Sequence, residues 1–339
     1  MSFKIVCTSS IDIHVDKAGL GKLPDALFVD CPCTTEDQII AAAHDANVAI
    51  AVLEPYTRRV IENLSSCRLI CTPKTGYDNI DIVAATEKGI CVACVPAVSS
   101  DEISDQAFAL LLACARRIFL EDKVVRAGKW RSIHGPEMEA IWRGIMPLRG
   151  QTLGLIGFGR AARPMVPKAI GFGMKVIVHD PYVPAEAIRQ AGAGAVELNE
   201  LLKSSDFISI HSALTRQNRH MIGREQFKLM KPGVYIINTA RGPLIEEAAL
   251  VEALNSGLVA GAGLDVLEVE PARMDNPLLK LDNVIITGHS AHYSDQSTNA
   301  IRKRALEDVS RIISGEWPLG LVNPDVKANF LARLGKVKS

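Results

Sequence analysis

The first stretch of this chain whose residue types and spacing imply chemistry is Gly157-Phe158-Gly159-Arg160-Ala161-Ala162, which fits G-x-G-x-x-G/A. Such a loop receives a pyrophosphate when an apolar strand runs into it and a helix leaves it. Leu153-Gly154-Leu155-Ile156 supplies the strand, and helix-competent sequence follows. Gly157 permits the tight turn, Gly159 lets the backbone approach the phosphates, and Ala162 keeps helix and strand close. The helix N-terminus then offers unpaired N–H groups and partial positive charge. About twenty residues on, where such sites carry an acid, the strand Lys175-Val176-Ile177-Val178-His179 ends in Asp180. A carboxylate there accepts from both adenosine ribose hydroxyls and repels a 2′-phosphate, so the expected cofactor is NAD rather than NADP. Pro164 and Pro167 fall early in the expected helix. The first is tolerable near its start; the second is expected to distort it.

The eight cysteines carry no comparable signal. Cys31/Cys33 and Cys91/Cys94 are the only close pairs. Residues three apart on a strand face opposite ways, so one metal could not easily take both sulfurs of Cys91-Val-Ala-Cys94. No metal is expected, and the thiols read as reduced core residues.

These features need elements to hold them. Phe3 to Cys7, Ala26 to Val29, Val48 to Leu53, Leu69 to Cys71 and Ile90 to Val95 read as strands. Thr35 to Asp45 and Thr57 to Ser66 carry helical spacing between them, with Thr34 or Thr35 as a cap. After a helix over Asp101 to Arg117 and an irregular connection over Gly128 to Gly150, a second unit opens. Its strands are expected at Thr152 to Ile156, Met174 to His179, Asp206 to Ile210, Val234 to Asn238, Ala262 to Asp265 and Val284 to Thr287. The last strong helix runs from about Ser294 to Ser314. Strand–helix alternation implies parallel sheets covered on both faces. The fold class is therefore α/β, with two Rossmann-like or flavodoxin-like domains joined by a hinge. The substrate domain is expected over 1–101 plus about 296–339, and the NAD-binding domain over 102–295.

Composition excludes several classes. Thirty-eight basic residues balance thirty-eight acidic ones, so no net field draws in nucleic acid or anionic lipid. An apolar share of 48% and a charged share of 22% are ordinary for a globular protein. The N-terminus turns strand-like at once, so no signal peptide is expected. No run approaches the ~20 apolar residues a membrane helix needs. A cytoplasmic protein is expected.

The ordered motifs Thr75-Gly76-Tyr77-Asp78-Asn79-Ile80-Asp81, the glycine loop, Asn238-Thr239-Ala240-Arg241-Gly242, Leu264-Asp265-Val266-Leu267-Glu268-Val269-Glu270-Pro271 and Gly288-His289-Ser290-Ala291 resemble the D-isomer-specific 2-hydroxyacid dehydrogenase family. The resemblance runs from Cys7 to about Asn323. Val95-Pro96-Ala97, His179-Asp180-Pro181-Tyr182, His211-Ser212-Ala213-Leu214 and Tyr293-Ser294-Asp295-Gln296 resemble the branch containing the C-terminal-binding proteins.

The resemblance implies Arg241, Glu270 and His289 as catalytic residues. Hydride transfer between nicotinamide and C2 of a hydroxyacid requires a proton at the C2 oxygen, which suits a histidine. Glu270 on the distal ring nitrogen would fix the tautomer and favour the imidazolium. Arg241 offers a fork matched to the substrate carboxylate. Glu270 also separates the chain from formate dehydrogenases, which resemble this family with glutamine there. Lys74, Thr75 and Gly76 are expected to take the substrate carboxylate through backbone N–H groups, Thr75 also approaching the nicotinamide ribose. Ser212, Ala213, Leu214 and Asn218 are expected near pyrophosphate and adenosine, Thr239 and Ala240 near the nicotinamide ribose, and Asp265 on the carboxamide.

Four positions depart from the family pattern. Thr72 stands for an arginine of that branch, and Lys74 for a glycine, so Lys74 is expected to supply a missing positive charge. His292 stands for a pocket tryptophan and favours a substrate with a short or polar tail. Gly288 stands for a proline. His211 and His220 read as structural, and His14, His44, His134 and His179 have no partner motif.

The expected protein is an NAD-dependent 2-oxoacid reductase whose domains close over substrate to exclude water. The resemblance implies a homodimer through Asp101 to Arg117 and the following connection, although Ala107, Leu110, Leu111 and Cys114 serve equally as internal core. The alternatives are an NAD(H)-sensing interaction protein of the C-terminal-binding type and a phosphoglycerate-type dehydrogenase.

Overall fold

A computed structural model describes residues 3–11, 15–96, 98–130 and 135–337. His14, Ala97 and His134 lie outside the described residues. The chain divides into two compact units, Met1–Val98 with Ser294–Ser339, and Ser99–Tyr293.

In the first unit, β1 (Phe3–Cys7), β2 (Ala26–Asp30), β3 (Val48–Ile50), β4 (Leu69–Thr72) and β5 (Cys91–Cys94) form a parallel sheet in the order β2-β1-β3-β4-β5. Every residue of β3, β4 and β5 is buried, which is why these strands read as unbroken apolar runs. Alternate residues feed two layers. Ile5, Ile50, Leu69 and Cys91 pack with Ile301, Val309 and Phe330, while Val6, Ala49, Ile70 and Val92 pack with Ile39, Val60 and Ala85. Thr35 and Gln38 close a capping box at the start of Glu36–Ala43.

A final helix, Val326–Val337, was not read from the sequence. Arg333 holds it by donating to the carbonyls of Leu64, Ser65 and Cys67.

In the second unit, β6 (Thr152–Ile156), β7 (Lys175–His179), β8 (Gly194–Ala195), β9 (Phe207–Ile210), β10 (Val234–Asn238), β11 (Val259–Leu264) and β12 (Val284–Ile286) are parallel in the order β12-β11-β10-β9-β6-β7-β8. The order reverses between β6 and β9, the switch point at which doubly wound sheets bind ligands beyond their strand C-termini.

Three expectations change. The helix over Ser100–Ala115 buries Ala107, Leu110, Leu111 and Cys114 against Tyr235 and Ile237, so its apolar face is internal core. The connection over Gly128 to Gly150 is not irregular throughout, since a helix forms at Pro136–Trp142, and ahead of it a further helix that was not expected covers Ile118–Arg126. The helix Ile118–Arg126 buries no residue fully; Pro136 sits in the first turn of the helix Pro136–Trp142, where its fixed φ is suited. Pro167 distorts nothing, because the helix starts only at Met165, capped by Pro164. Position 167 then lies in the first turn, whose N–H groups have no helical partner in any case.

Candidate active site

The loop after β6 turns on Gly157, whose φ is +90°. A Cβ there would sit 2.9 Å from the carbonyl of His211, so glycine is required twice over. A Cβ on Gly159 would meet open space instead, which leaves room for a ligand against the backbone. Among the described residues nothing accepts from the N–H groups of Gly159, Arg160 and Ala161. Phe158 and Ala162 are fully buried beneath the loop. Asp180 binds the loop directly, accepting from Phe158 N at 2.7 Å and from Tyr182 N at 2.8 Å. Each carboxylate oxygen retains acceptor capacity for a ribose hydroxyl.

Further along the same C-terminal edge lies the segment after β9. Ser212 Oγ donates to Ile156 O at 3.3 Å. Asn218 accepts from Thr215 N and donates to Ala213 O, both at 2.7 Å, so its amide shapes the loop that carries Ser212, Ala213 and Leu214. At the end of β10, the buried Thr239 hydroxyl has no hydrogen-bond partner among the described residues. A buried orphan hydroxyl, three free N–H groups and a carboxylate at the next strand's end are the donor and acceptor set that a dinucleotide's ribose, pyrophosphate and adenosine ribose would satisfy.

Glu270 and His289 meet. Glu270 Oε2 lies 2.7 Å from His289 Nδ1, and Glu270 Oε1 accepts from Leu267 N at 2.9 Å. Burial pushes the Glu270 carboxyl up. The bond and charge of His289, the Leu267 N–H and the Arg241 charge outweigh it, and the group titrates below its ordinary value. His289 has φ +53°, unusual for a residue with a side chain. Its N–H donates to Asp265 O at 2.8 Å, and Asp265 holds the rest of the turn. The Asp265 carboxylate, 2% exposed, accepts from Thr287 Oγ1 at 2.5 Å, Ser290 N at 3.0 Å and Ala291 N at 2.9 Å. These bonds make Asp265 first of all the anchor of the histidine turn.

Arg241 extends from the end of β10, its backbone fixed by Asn238, which donates to Arg241 O at 2.9 Å and accepts from Ala240 N at 3.0 Å. Arg241 Nη1 donates to Ala240 O at 2.8 Å. The next residue, Gly242, presses backbone to backbone on the 267–268 segment: a Cβ would lie 1.9 Å from Leu267 O. His292 stands edge-on to His289, with ring centroids 6.2 Å apart. Burial, then the charges of His289 and Arg241, push its titration below the ordinary value despite Asp265.

In the first unit, the turn after β4 is built on buried polar groups. Lys74 Nζ donates to Asn79 Oδ1 at 3.0 Å, and Asn79 donates to Glu54 O at 2.8 Å. Glu54, 4% exposed, accepts from Val52 N, Leu53 N and Ser10 N. Thr75 Oγ1 donates to Val95 O at 3.1 Å, while the N–H groups of Thr75 and Gly76 meet no acceptor among the described residues. The Thr72 hydroxyl is buried without a partner among the described residues.

Of the remaining histidines, His211 bonds Ser209 Oγ at 2.8 Å, and burial pushes its ring down to about 4. His44 and His179 bond backbone carbonyls of Asn63 and Val196. All eight cysteines are free. Sequence reasoning missed Asn238, Thr287, Glu54 and Asn79 as supports. Asn238 and Thr287 share one signal, a polar side chain at or just beyond a strand's C-terminal end, whereas Glu54 and Asn79 lie further into their loops.

A family model described as D-isomer specific 2-hydroxyacid dehydrogenase, NAD binding domain, matches residues 108–291. The glyoxylate reductase of Thermococcus litoralis is 41% identical over 286 residues, 83% of this chain and 84% of that one. The D-3-phosphoglycerate dehydrogenase of Methanocaldococcus jannaschii is 40% identical over 307 residues, 90% of this chain but 56% of that one. The crystal structure of D-lactate dehydrogenase from Aquifex aeolicus, complexed with NAD and lactic acid, aligns with a TM-score of 0.82 at 30% identity, covering 92% of this chain and 96% of that one. With a glycine loop suited to a dinucleotide and a bonded His289–Glu270 pair in one unit, the chain belongs to the D-isomer-specific 2-hydroxyacid dehydrogenase family and is an NAD-dependent oxidoreductase.

Proposed function

We propose that the enzyme reduces a small 2-oxoacid, of the size of glyoxylate or hydroxypyruvate, to the D-2-hydroxyacid. The observation that carries this reading is the 2.7 Å contact between His289 Nδ1 and Glu270. It leaves Nε2 to give a proton to the C2 oxygen as C2 is reduced, with Glu270 stabilising the imidazolium. Bound NADH supplies the hydride. Arg241 holds the substrate carboxylate and polarises the adjacent carbonyl. The Thr75 and Gly76 N–H groups and Lys74 are the substrate-binding groups of their own unit, and His292 meets the C3 substituent. Gly157 to Ala162, Asp180, Ser212 to Leu214, Thr239, Ala240 and Asp265 hold the cofactor, Asp265 through the acceptor capacity its anchoring bonds leave.

The units are assigned accordingly, with Met1–Val98 and Ser294–Ser339 as the substrate domain and Ser99–Tyr293 as the NAD domain. A homodimer is supported by the large apolar side chains left exposed between Ile118 and Met146: Ile118, Phe119, Val125, Trp130 and Met146. Eight free thiols support a cytoplasmic setting. No helix among the described residues is long and apolar enough to cross a membrane.

The test is NADH consumption with glyoxylate, hydroxypyruvate and pyruvate, in the parent enzyme and in His289→Asn. Turnover lost in the variant with NADH binding retained supports the reading. A parent enzyme that turns over none of these acids removes it. Nucleotide-dependent self-assembly without turnover would favour the interaction-protein alternative that the Tyr293-Ser294-Asp295-Gln296 motif raises.

A further inference from the structure

Behind the His289–Glu270 pair lies a second carboxylate–imidazole contact that the reaction does not use. Glu268 Oε1 accepts from His220 Nε2 at 2.6 Å and from Arg219 Nη2 at 2.7 Å. Its other oxygen accepts from Glu247 N at 3.4 Å, and Glu268 N donates to the Glu247 carboxylate at 3.1 Å. Glu247 in turn accepts from Asn276 Nδ2 at 2.7 Å. One side chain thus joins the 219–220 turn, the start of the helix Glu247–Asn255 and the segment that ends in Glu270.

The partners are not free to follow Glu268 if it moves. His220 N donates to Pro243 O at 2.8 Å, Ile222 N to Leu244 O at 3.1 Å, and Glu246 N to Ile222 O at 2.9 Å. His220 itself is held at φ +55°, a backbone conformation that costs energy for a residue with a Cβ. That strained turn is where its ring reaches the carboxylate. Exposed ion pairs contribute little, but the Glu268 side chain is only 21% exposed and takes donors from three directions. Along the chain it sits one residue from Leu267, whose carbonyl Gly242 abuts, and two from Glu270.

We propose that Glu268 is a positioning residue: by gripping His220, Arg219 and Glu247 it fixes the turn that sets Glu270 against His289 and keeps Arg241 beside them. The inference rests on the roles proposed above for those three residues.

The test combines kinetics with hydrogen exchange of the peptide spanning 265–271, which reads the turn whether or not a substrate is known. Glu268→Ala is expected to lower kcat for 2-oxoacid reduction about tenfold or more while KM for NADH stays within about twofold, because misplaced catalytic groups slow chemistry more than cofactor binding. Exchange across 265–271 should quicken in the same variant. Glu268→Gln, whose amide oxygen still accepts from His220 and Arg219, should recover most of both. Unchanged exchange in Glu268→Ala overturns the proposal, as does a kcat loss matched by an equal rise in KM for NADH or confined to temperatures at which circular dichroism shows unfolding. If the parent enzyme reduces no 2-oxoacid, the functional reading fails, and the exchange result still decides whether Glu268 holds the turn.

Discussion

His289 Nδ1 faces Glu270 Oε2 at 2.7 Å, which orients the ring and leaves Nε2 as the nitrogen that the proposed reaction uses. A positioned general acid contributes about 10²–10⁴ in rate, and His289→Asn should lose a factor in that range from kcat. Glu270→Gln should lose less, since an amide can still orient the ring without stabilising its charge. Steady-state kinetics beside NADH fluorescence titration checks both, with nucleotide affinity expected to hold.

On the proposed reading Asp180 sets the nucleotide preference. Replacing it with alanine removes the repulsion of a 2′-phosphate and the acceptor for ribose hydroxyls. The ratio of kcat/KM with NADH to that with NADPH should fall about tenfold or more, the size of a lost charge-assisted pair of bonds. An unchanged ratio would show that another residue reads the ribose.

Asp265→Ala leaves the Ser290 and Ala291 N–H groups and the Thr287 hydroxyl without their acceptor. The Ala291 bond is buried and the other two are part-buried, so with an unsatisfied buried donor costing about 1–3 kcal/mol urea denaturation should report a loss of about that size. Thr287→Val removes a single bond from the same carboxylate and should cost clearly less.

His211 makes stability depend on pH. Its folded-state value, about 4, lies below the ordinary 6.5, so the unfolded chain binds the extra proton between the two. The neutral ring's contribution is complete above the ordinary value, falls away as pH drops through this window, and changes no further below about 4. At about 1.4 kcal/mol per unit, going from about pH 7 to about pH 5 should cost on the order of 2 kcal/mol. Urea midpoints of the parent and His211→Gln at those two values should differ in slope, the variant being flatter.

His292→Ala should lower kcat/KM for hydroxypyruvate more than for glyoxylate, because only the former has a C3 hydroxyl for an imidazole to meet. A hydrogen bond of this kind is worth about 0.5–1.5 kcal/mol, or roughly a twofold to thirteenfold change in the ratio. Equal losses on both acids would place His292 away from the C3 group.

The parallel sheets were legible because β3, β4 and β10 are buried along their whole length and so spell unbroken apolar runs. The glycine loop was legible because its spacing is local. The helix Ile118–Arg126 was not, since it buries nothing fully and leaves Ile118 and Phe119 more than half exposed, so its apolar residues are not tied to either core. The anchoring role of Asp265 was equally hidden: its acceptor bonds reach Thr287, Ser290 and Ala291, more than twenty residues away, and no period or motif encodes a bond across that separation. Lys74 could be named from its place in a motif, but its tether to Asn79 and the buried Glu54 appears only when β3 and β4 lie side by side.

Gly242 and Gly159 answer to different masters. At 242 the neighbouring strand of backbone already fills the space where a methyl would go, so even the smallest side chain must pry the guanidinium's loop from the carboxylate's. At 159 the same methyl would disturb no protein atom and would be felt only by whatever docks there. A selection for folding alone should keep glycine at the first and release it at the second, whereas a selection for turnover should keep both.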